Sequence, residues 1–316
     1  MYQVLLYYCY TPIDNPAQLR DEQHRLCLEL GLLGRVIVAA EGLNGTVSGP
    51  RESCAAYMAH VKADPRFAAL EFKVEAVPAH TFQKLHVRVK AEIVHSSLSH
   101  LRPYEHTGQH LTPAEFKEWK DRDDVVVVDV RSDYEYNLGR FKNAVTLDLE
   151  NFRDFPARVE QLREFKDKKI LTYCTGGVKC EKASAYLLEQ GFENVYQLHG
   201  GIISYGIEAG GEDFEGQCYV FDNRVAVDVN QVNPTVISRC HGCQQPSERL
   251  VNCANPHCNA HLPLCASCAA ALQGACSPSC AAHPDKRPYD GTGTYPKPSN
   301  HYHPAQGLAS YAGAKA

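Results

Sequence analysis

The sequence predicts a multidomain α/β chain made of three unlike parts, and three observations carry that reading. Strand and helix signals alternate over residues 1–95, short β-branched runs separated by helical stretches fill residues 113–222, and eight of the fourteen cysteines fall between residues 240 and 280. A length of 316 residues is enough for two or three separate cores. The 44% apolar and 22% charged content is that of an ordinary soluble chain. The longest apolar runs, at residues 4–8 and 125–128, are far too short to span a bilayer, and no basic segment followed by a signal-peptide core opens the sequence. A cytoplasmic protein with no membrane partner is expected.

Charge is unevenly spread. Counting Lys and Arg against Asp and Glu, residues 1–110 carry 11 and 11, residues 111–222 carry 14 and 22, and residues 223–316 carry 7 and 4, for a net charge of −5. The middle of the chain is therefore acidic. Bulk charge points to no nucleic-acid surface, and such a site would have to use local patches on the flanking parts.

In the first part, residues 2–10 are strand-like, residues 16–30 show helical spacing at Leu19, Leu26, Leu28 and Leu30, and residues 36–47 read as two strands joined through Gly42, Leu43, Asn44 and Gly45. Residues 51–61 suit a second helix, and residues 70–77 and 85–94 suit two more strands. Asn44-Gly45 reads as turn chemistry. The order resembles a ferredoxin-like (acylphosphatase-like) βαββαβ sandwich with an extra strand, over residues 1–95. Residues 96–112, rich in His, Pro and Gly, read as a linker.

The second part starts at Thr112-Pro113, an N-cap followed by proline in the first helical turn, and runs to residue 222. Helices are expected at residues 113–120, 151–165 and 181–190, with β-branched strands between them forming a parallel sheet. Its most informative stretch is residues 169–186, an apolar strand that runs into Cys174, a glycine-bearing turn and a helix. Cys174 then lies at the carboxyl end of a strand, where open parallel sheets bind ligands. The amides of Thr175, Gly176, Gly177, Val178, Lys179 and Cys180 curl around its sulfur, and a helix N-terminus favours the anion, so the thiol pKa should fall. Cys180 is a candidate second thiol, able to resolve a sulfenate or persulfide as a disulfide or itself carry the intermediate, or else a small residue capping the helix. Lys179 either favours the thiolate or is a solvated loop residue.

This pattern resembles the active-site loop of the rhodanese superfamily, in which a cysteine after a central strand carries a persulfide. Residues 124–131 match its first buried strand ending in Asp129-x-Arg131, and Tyr134-Glu135-Tyr136, Gly139, Asn143-Ala144 and residues 195–202 with Gly200-Gly201 follow in the expected order. Asp129 and Arg131 are expected to form a structural ion pair supporting the loop. A phosphatase loop would need arginine six places after the cysteine, where Cys180 stands.

The cysteines of the third part come in pairs: Cys240 and Cys243, Cys253 and Cys258, Cys265 and Cys268, Cys276 and Cys280. Two close pairs make one tetrahedral all-thiolate site, so eight thiolates suit two structural zinc ions, bound in sequence or interleaved. His241, His257, His261 and His283 are possible substitutes in the shell, and a disulfide framework is the rival reading. This segment is assigned residues 223–284, and residues 285–316, rich in Pro, Gly, Tyr and His, read as a disordered tail.

The three-part order resembles the tRNA uridine(34) hydroxylase family over residues 3–282. Further details that carry the likeness are Gly34-Arg35-Val36, residues 41–45, Asp133-Tyr134-Glu135-Tyr136 and residues 218–222. Lys179 departs from the arginine common in the family loop. The resemblance implies oxygen-dependent conversion of wobble uridine 34 to 5-hydroxyuridine, with molecular oxygen as co-substrate and the tRNA anticodon loop as partner. The alternatives are a thiosulfate or persulfide sulfurtransferase and a non-enzymatic zinc-dependent interaction protein.

Overall fold

A computed structural model describes residues 1–293 and 295. The chain forms two compact units, residues 1–136 with 140–234, and residues 137–139 with those from Thr235 onward.

The first unit begins with β1 (Tyr2–Tyr10), α1 (Pro16–Glu29), β2 (Leu33–Ala39), β3 (Gly42–Pro50), α2 (Arg51–Ala63), β4 (Lys73–Val77) and β5 (Leu85–Val89). The strand order is β4-β1-β3-β2-β5, antiparallel except that β5 runs parallel to β2. This is the expected sandwich with its extra strand. Because side chains alternate along a strand, Leu5 and Tyr7 of β1 enter the core beneath the helices, with Leu19, Cys27 and Tyr57. Leu6 instead packs into the core of the following domain. An apolar run on both faces thus marks a strand buried on both sides.

Asn44-Gly45 is not a turn. Both residues lie inside β3, where Asn44 pairs with Tyr8 and Gly45 with Tyr7, and Asn44 Nδ2 donates to the Ile93 carbonyl at 2.9 Å. Glycine is required at 45 for space, because a Cβ there would lie 2.2 Å from the Tyr7 hydroxyl, which is itself 2.5 Å from that of Tyr57.

The rest of this unit contains β6 (Gln109–Leu111), α3 (Pro113–Trp119), β7 (Val125–Asp129), α4 (Asp133–Tyr136), β8 (Gly139–Phe141), β9 (Val145–Thr146), α5 (Phe155–Arg158), β10 (Lys169–Tyr173), α6 (Val178–Glu189), β11 (Val195–Leu198), α7 (Gly201–Ala209), β12 (Phe214–Gly216), β13 (Cys218–Tyr219) and β14 (Ala226–Val227). A parallel sheet in the order β6-β11-β10-β7-β9 forms its centre. Val126 and Val128 enter one flanking core and Val125 and Val127 the other, which is why the run is uninterrupted.

Three boundaries differ from expectation. Residues 96–112 are not merely a linker, since Leu98 and Leu101 bury against Ala185 and residues 109–111 form the edge strand β6. The helix expected over residues 151–165 is broken into a 3-10 turn, the short α5 and a second 3-10 segment. Pro156 has no N–H to donate to the carbonyl four residues earlier, so an α ladder cannot run through it. Residues 223–234 stay with the first unit, where β14 pairs with β13 and Val229 is buried among Leu198, Ile202 and Tyr205.

The second unit pairs β15 (Leu250–Asn252) with β16 (His261–Pro263) and adds the short helices α8 (Ala266–Ala271) and α9 (Pro278–Ala281). Residues 285–293, expected as the start of a disordered tail, are instead hydrogen-bonded to this unit. The Arg287 N–H donates to the Ala254 carbonyl at 2.9 Å, and Asn252 donates to Gly293 at 3.0 Å. The remainder of that expected tail, Tyr295 apart, lies outside the described residues. No helix among the described residues is long and apolar enough to cross a membrane.

Candidate active site

Strand β10 delivers Cys174 to the carboxyl edge of the sheet, one residue after the buried Tyr173. The Tyr173 hydroxyl donates to Asp129 at 2.5 Å, and Arg131 grips the same carboxylate through Nε at 2.9 Å and Nη2 at 2.6 Å. Asp129 and Arg131 are fully buried, and this pair fastens the strand ends.

The loop wraps the sulfur as its composition suggested. The Gly177 N–H donates to Cys174 Sγ at 3.1 Å, joined by the N–H groups of Lys179 and Cys180. Gly177 caps α6 with φ of 101°, a conformation other residues rarely adopt. Burial pushes the Cys174 thiol up, but a hydrogen bond from the Cys180 thiol, the charge of Lys179 and the loop amides outweigh it and hold its pKa at about 6. Cys180 goes the other way, raised far above the ordinary value by burial and by its hydrogen bond to Cys174. The pair is therefore differentiated, with Cys174 the thiolate and Cys180 the thiol that donates to it.

Lys179 is no solvated lysine, being 12% exposed and 2.5 Å from Glu135 Oε2. Glu135 also accepts the Ser132 N–H at 3.1 Å and the Thr175 hydroxyl at 3.4 Å, so one buried carboxylate orders both sides of the loop. Nothing in the spacing of Tyr134-Glu135-Tyr136 announces that contact.

The first domain closes over the loop through the second face of β1. The Tyr8 hydroxyl donates to Glu181 at 2.9 Å and that of Tyr10 to the Val178 carbonyl at 3.2 Å, while Leu6 lies against Gly176. Glu181 also accepts from Thr107, His110 and Gln197. Against burial, which raises its pKa, the hydrogen bond and charge of His110 and the hydrogen bonds of Tyr8 and Gln197 hold its carboxyl below the usual range. Lys182, fully buried, reaches Glu41 Oε2 at 2.6 Å and the Leu98 carbonyl at 2.9 Å. Glu41 lies in the β2–β3 turn, so the first domain anchors α6, the helix that carries Cys180. Lys73 of β4 also faces the loop. Burial lowers its pKa, against the opposing charge of Cys174. Sequence reasoning missed Lys73, Glu135 and Glu181 because their partners are distant in the chain.

In the second unit, Cys240, Cys243, Cys265 and Cys268 form one group and Cys253, Cys258, Cys276 and Cys280 another, with the four sulfurs of each within 4.8 Å of one another. The pairs alternate along the chain, so the arrangement is interleaved. Each set fits one tetrahedral thiolate-binding ion. Neither group includes a histidine, and His257 and His283 gather instead with Asp285.

A cysteine at the carboxyl end of a parallel strand, cradled by loop amides, has the arrangement of a rhodanese-type site, and residues 112–207 match the Rhodanese-like domain. Residues 2–93 match the UPF0176 acylphosphatase like domain and residues 215–281 the Rhodanase C-terminal family. The chain is 68% identical over 303 residues to the tRNA uridine(34) hydroxylase of Cytophaga hutchinsonii, covering 96% of this chain and 97% of that relative. It is 47% identical over 290 residues to the enzyme of the same name from Bacillus cytotoxicus, covering 90% of each. A solved rhodanese-related protein from Thermoplasma volcanium is 25% identical, with a TM-score of 0.27, covering 32% of this chain and 93% of that one. The chain belongs to the tRNA uridine(34) hydroxylase family.

Proposed function

We propose that this chain hydroxylates C5 of uridine 34 in the tRNA anticodon loop, in the cytoplasm, with molecular oxygen as co-substrate and zinc in both four-cysteine sites. The differentiated pair Cys174 and Cys180 carries the reading. Replacing C5–H by C5–OH with one O2 needs two electrons and two protons. Oxidation of the Cys174 thiolate and the Cys180 thiol to a disulfide supplies the two electrons and one proton, solvent supplies the second proton, one water leaves, and an external thiol reduces the disulfide for the next turnover. Cys174 is the nucleophilic thiolate in this scheme. Cys180 is its proton donor and resolving partner, while Lys179 and the amides of residues 177–180 hold the anion. Asp129 and Arg131 keep the strand end in place and touch no reacting atom.

The amide cradle around Cys174 Sγ also suits a persulfide, which favours sulfur transfer from thiosulfate as a second reading. Nucleoside mass spectrometry of tRNA from cells lacking the gene, complemented with wild type, Cys174→Ser or Cys180→Ser, separates the two. Loss of 5-hydroxyuridine that wild type restores and Cys174→Ser does not supports hydroxylation. Unchanged tRNA with robust thiosulfate turnover would defeat it.

A further inference from the structure

Between the face of β1, β3 and β4 and the Cys174 loop lies a narrow cleft whose envelope, open mouth included, is about 460 Å³. Val4, Leu6 and Ile203 give it apolar walls, Thr46, Thr175 and Lys73 supply polar groups, and the carboxylates of Glu75 and Asp222 also line it. Arg224 also reaches the cleft but is already paired with Asp222 and Glu75, each at 2.7 Å. No carboxylate pairs with Lys73 among the described residues.

The position of Lys73 is fixed by packing. Its Cε lies 3.0 Å from where a Cβ on Gly200 would stand, and a Cβ on the next residue, Gly201, would lie 2.5 Å from the Cys174 carbonyl. A Gly-Gly turn thus separates this lysine from the Cys174 backbone, and only a turn without side chains lets both approach. The ammonium rests 5.3 Å from the centre of the Tyr8 ring. At the mouth, Phe221 is 43% and Ile207 59% exposed, large apolar groups that normally find cover. Phe221 meets Tyr219 edge-on at 5.2 Å and lies under Lys179 at 5.5 Å, which ties the mouth to the thiolate.

We propose that this cleft is the base pocket of the enzyme, in which a pyrimidine splayed from single-stranded RNA stacks on Phe221 and presents its C4 carbonyl to Lys73. The proposal rests on the tRNA reading of the Cys174 site. Bases in RNA loops are recognised by being unstacked onto aromatic side chains and read along their edges. Lysine only donates hydrogen bonds. It suits the O4 acceptor of uracil and is mismatched to the amino group that cytosine carries at the same place. Lys73 is thus the residue that selects uridine. Only about 50 Å³ of the cleft is clear for water-sized contents, so admitting a base requires the exposed Phe221 and Ile207 to move aside.

The test is binding of fluorescent anticodon stem-loops carrying U34, C34 or an abasic site to the full-length, metal-loaded protein. Wild type should prefer U34 over C34 and the abasic loop. Phe221→Ala should weaken U34 binding about tenfold or more, the scale of a lost base–aromatic stack. Lys73→Met should erase the U34 over C34 preference and Lys73→Arg should keep it. Pseudo-first-order alkylation of Cys174 by iodoacetamide checks that each variant's loop is intact. Equal binding of the three loops by wild type, or an unchanged preference in Lys73→Met, overturns the pocket while leaving the tRNA reading standing. Failure to bind any stem-loop, together with unchanged 5-hydroxyuridine in cells lacking the gene, overturns both.

Discussion

Cys174 and Cys180 lie in a loop whose shape is set by a buried parallel sheet, whereas the eight cysteines from Cys240 to Cys280 lie in a unit whose fully buried aliphatic side chains larger than alanine are, among the described residues, Leu138, Val251 and Leu264. In the loop, the surroundings treat two thiols differently: amides and Lys179 stabilise charge on one, and burial denies it to the other. In the second unit, four sulfurs converge on each of two points. Burying three aliphatic side chains contributes about 5–9 kcal/mol, less than the ~10–16 kcal/mol that one structural zinc ion would supply if bound. On this reading cysteine serves chemistry where a fold already exists and would, with a metal bound, help make the fold where it does not.

The largest effect should come from metal removal. Chelation under reducing conditions should abolish amide-exchange protection across residues 240–280 while β7 and β10 keep theirs. Protection that survives in the metal-free protein would remove the contrast. Next, Cys174→Ser should lower hydroxylation by on the order of 10³-fold or more with no change in the denaturant midpoint. An equal loss in a serine variant of one cysteine in the second unit, with its fold intact, would blur the distinction between reactive and structural cysteines.

Third, Lys182→Met should destabilise the first unit by about 3–5 kcal/mol in urea unfolding, because Glu41 and Glu92 would be left buried without their cation. That loss would show that the first domain supports the reactive loop rather than merely preceding it. Smallest, Lys179→Met should raise the pH midpoint of Cys174 alkylation by about 1–2 units without unfolding, since one of several charges and dipoles on the sulfur is removed.

Legibility in the sequence followed locality. The run at residues 125–128 announced a strand buried on both faces, and the paired cysteines announced two groups of four that could hold a metal ion, because periodicity and spacing are local properties. Cys174 and Cys180 were legible for the same reason, as a strand, a glycine turn and a helix in succession. Asn44-Gly45 misled because its turn-like composition serves a different need, the space taken by Tyr7 on the neighbouring strand. Glu135, Glu181 and Lys73 gave no signal, since their roles arise from contacts made across domains or between distant segments. The unbroken apolar run of β1 was the available hint that its second face would be covered, although it did not say by what.

The central claim is that the loop makes a thiolate of Cys174 and keeps Cys180 a thiol. Alkylation of the full-length protein by iodoacetamide across pH 4–10, resolved by peptide mass spectrometry, tests it directly. Labelling of Cys174 should rise through a midpoint near pH 6 and then level, with Cys180 unlabelled throughout. A midpoint near 8.5, the ordinary thiol value, or equal labelling of both residues would contradict it.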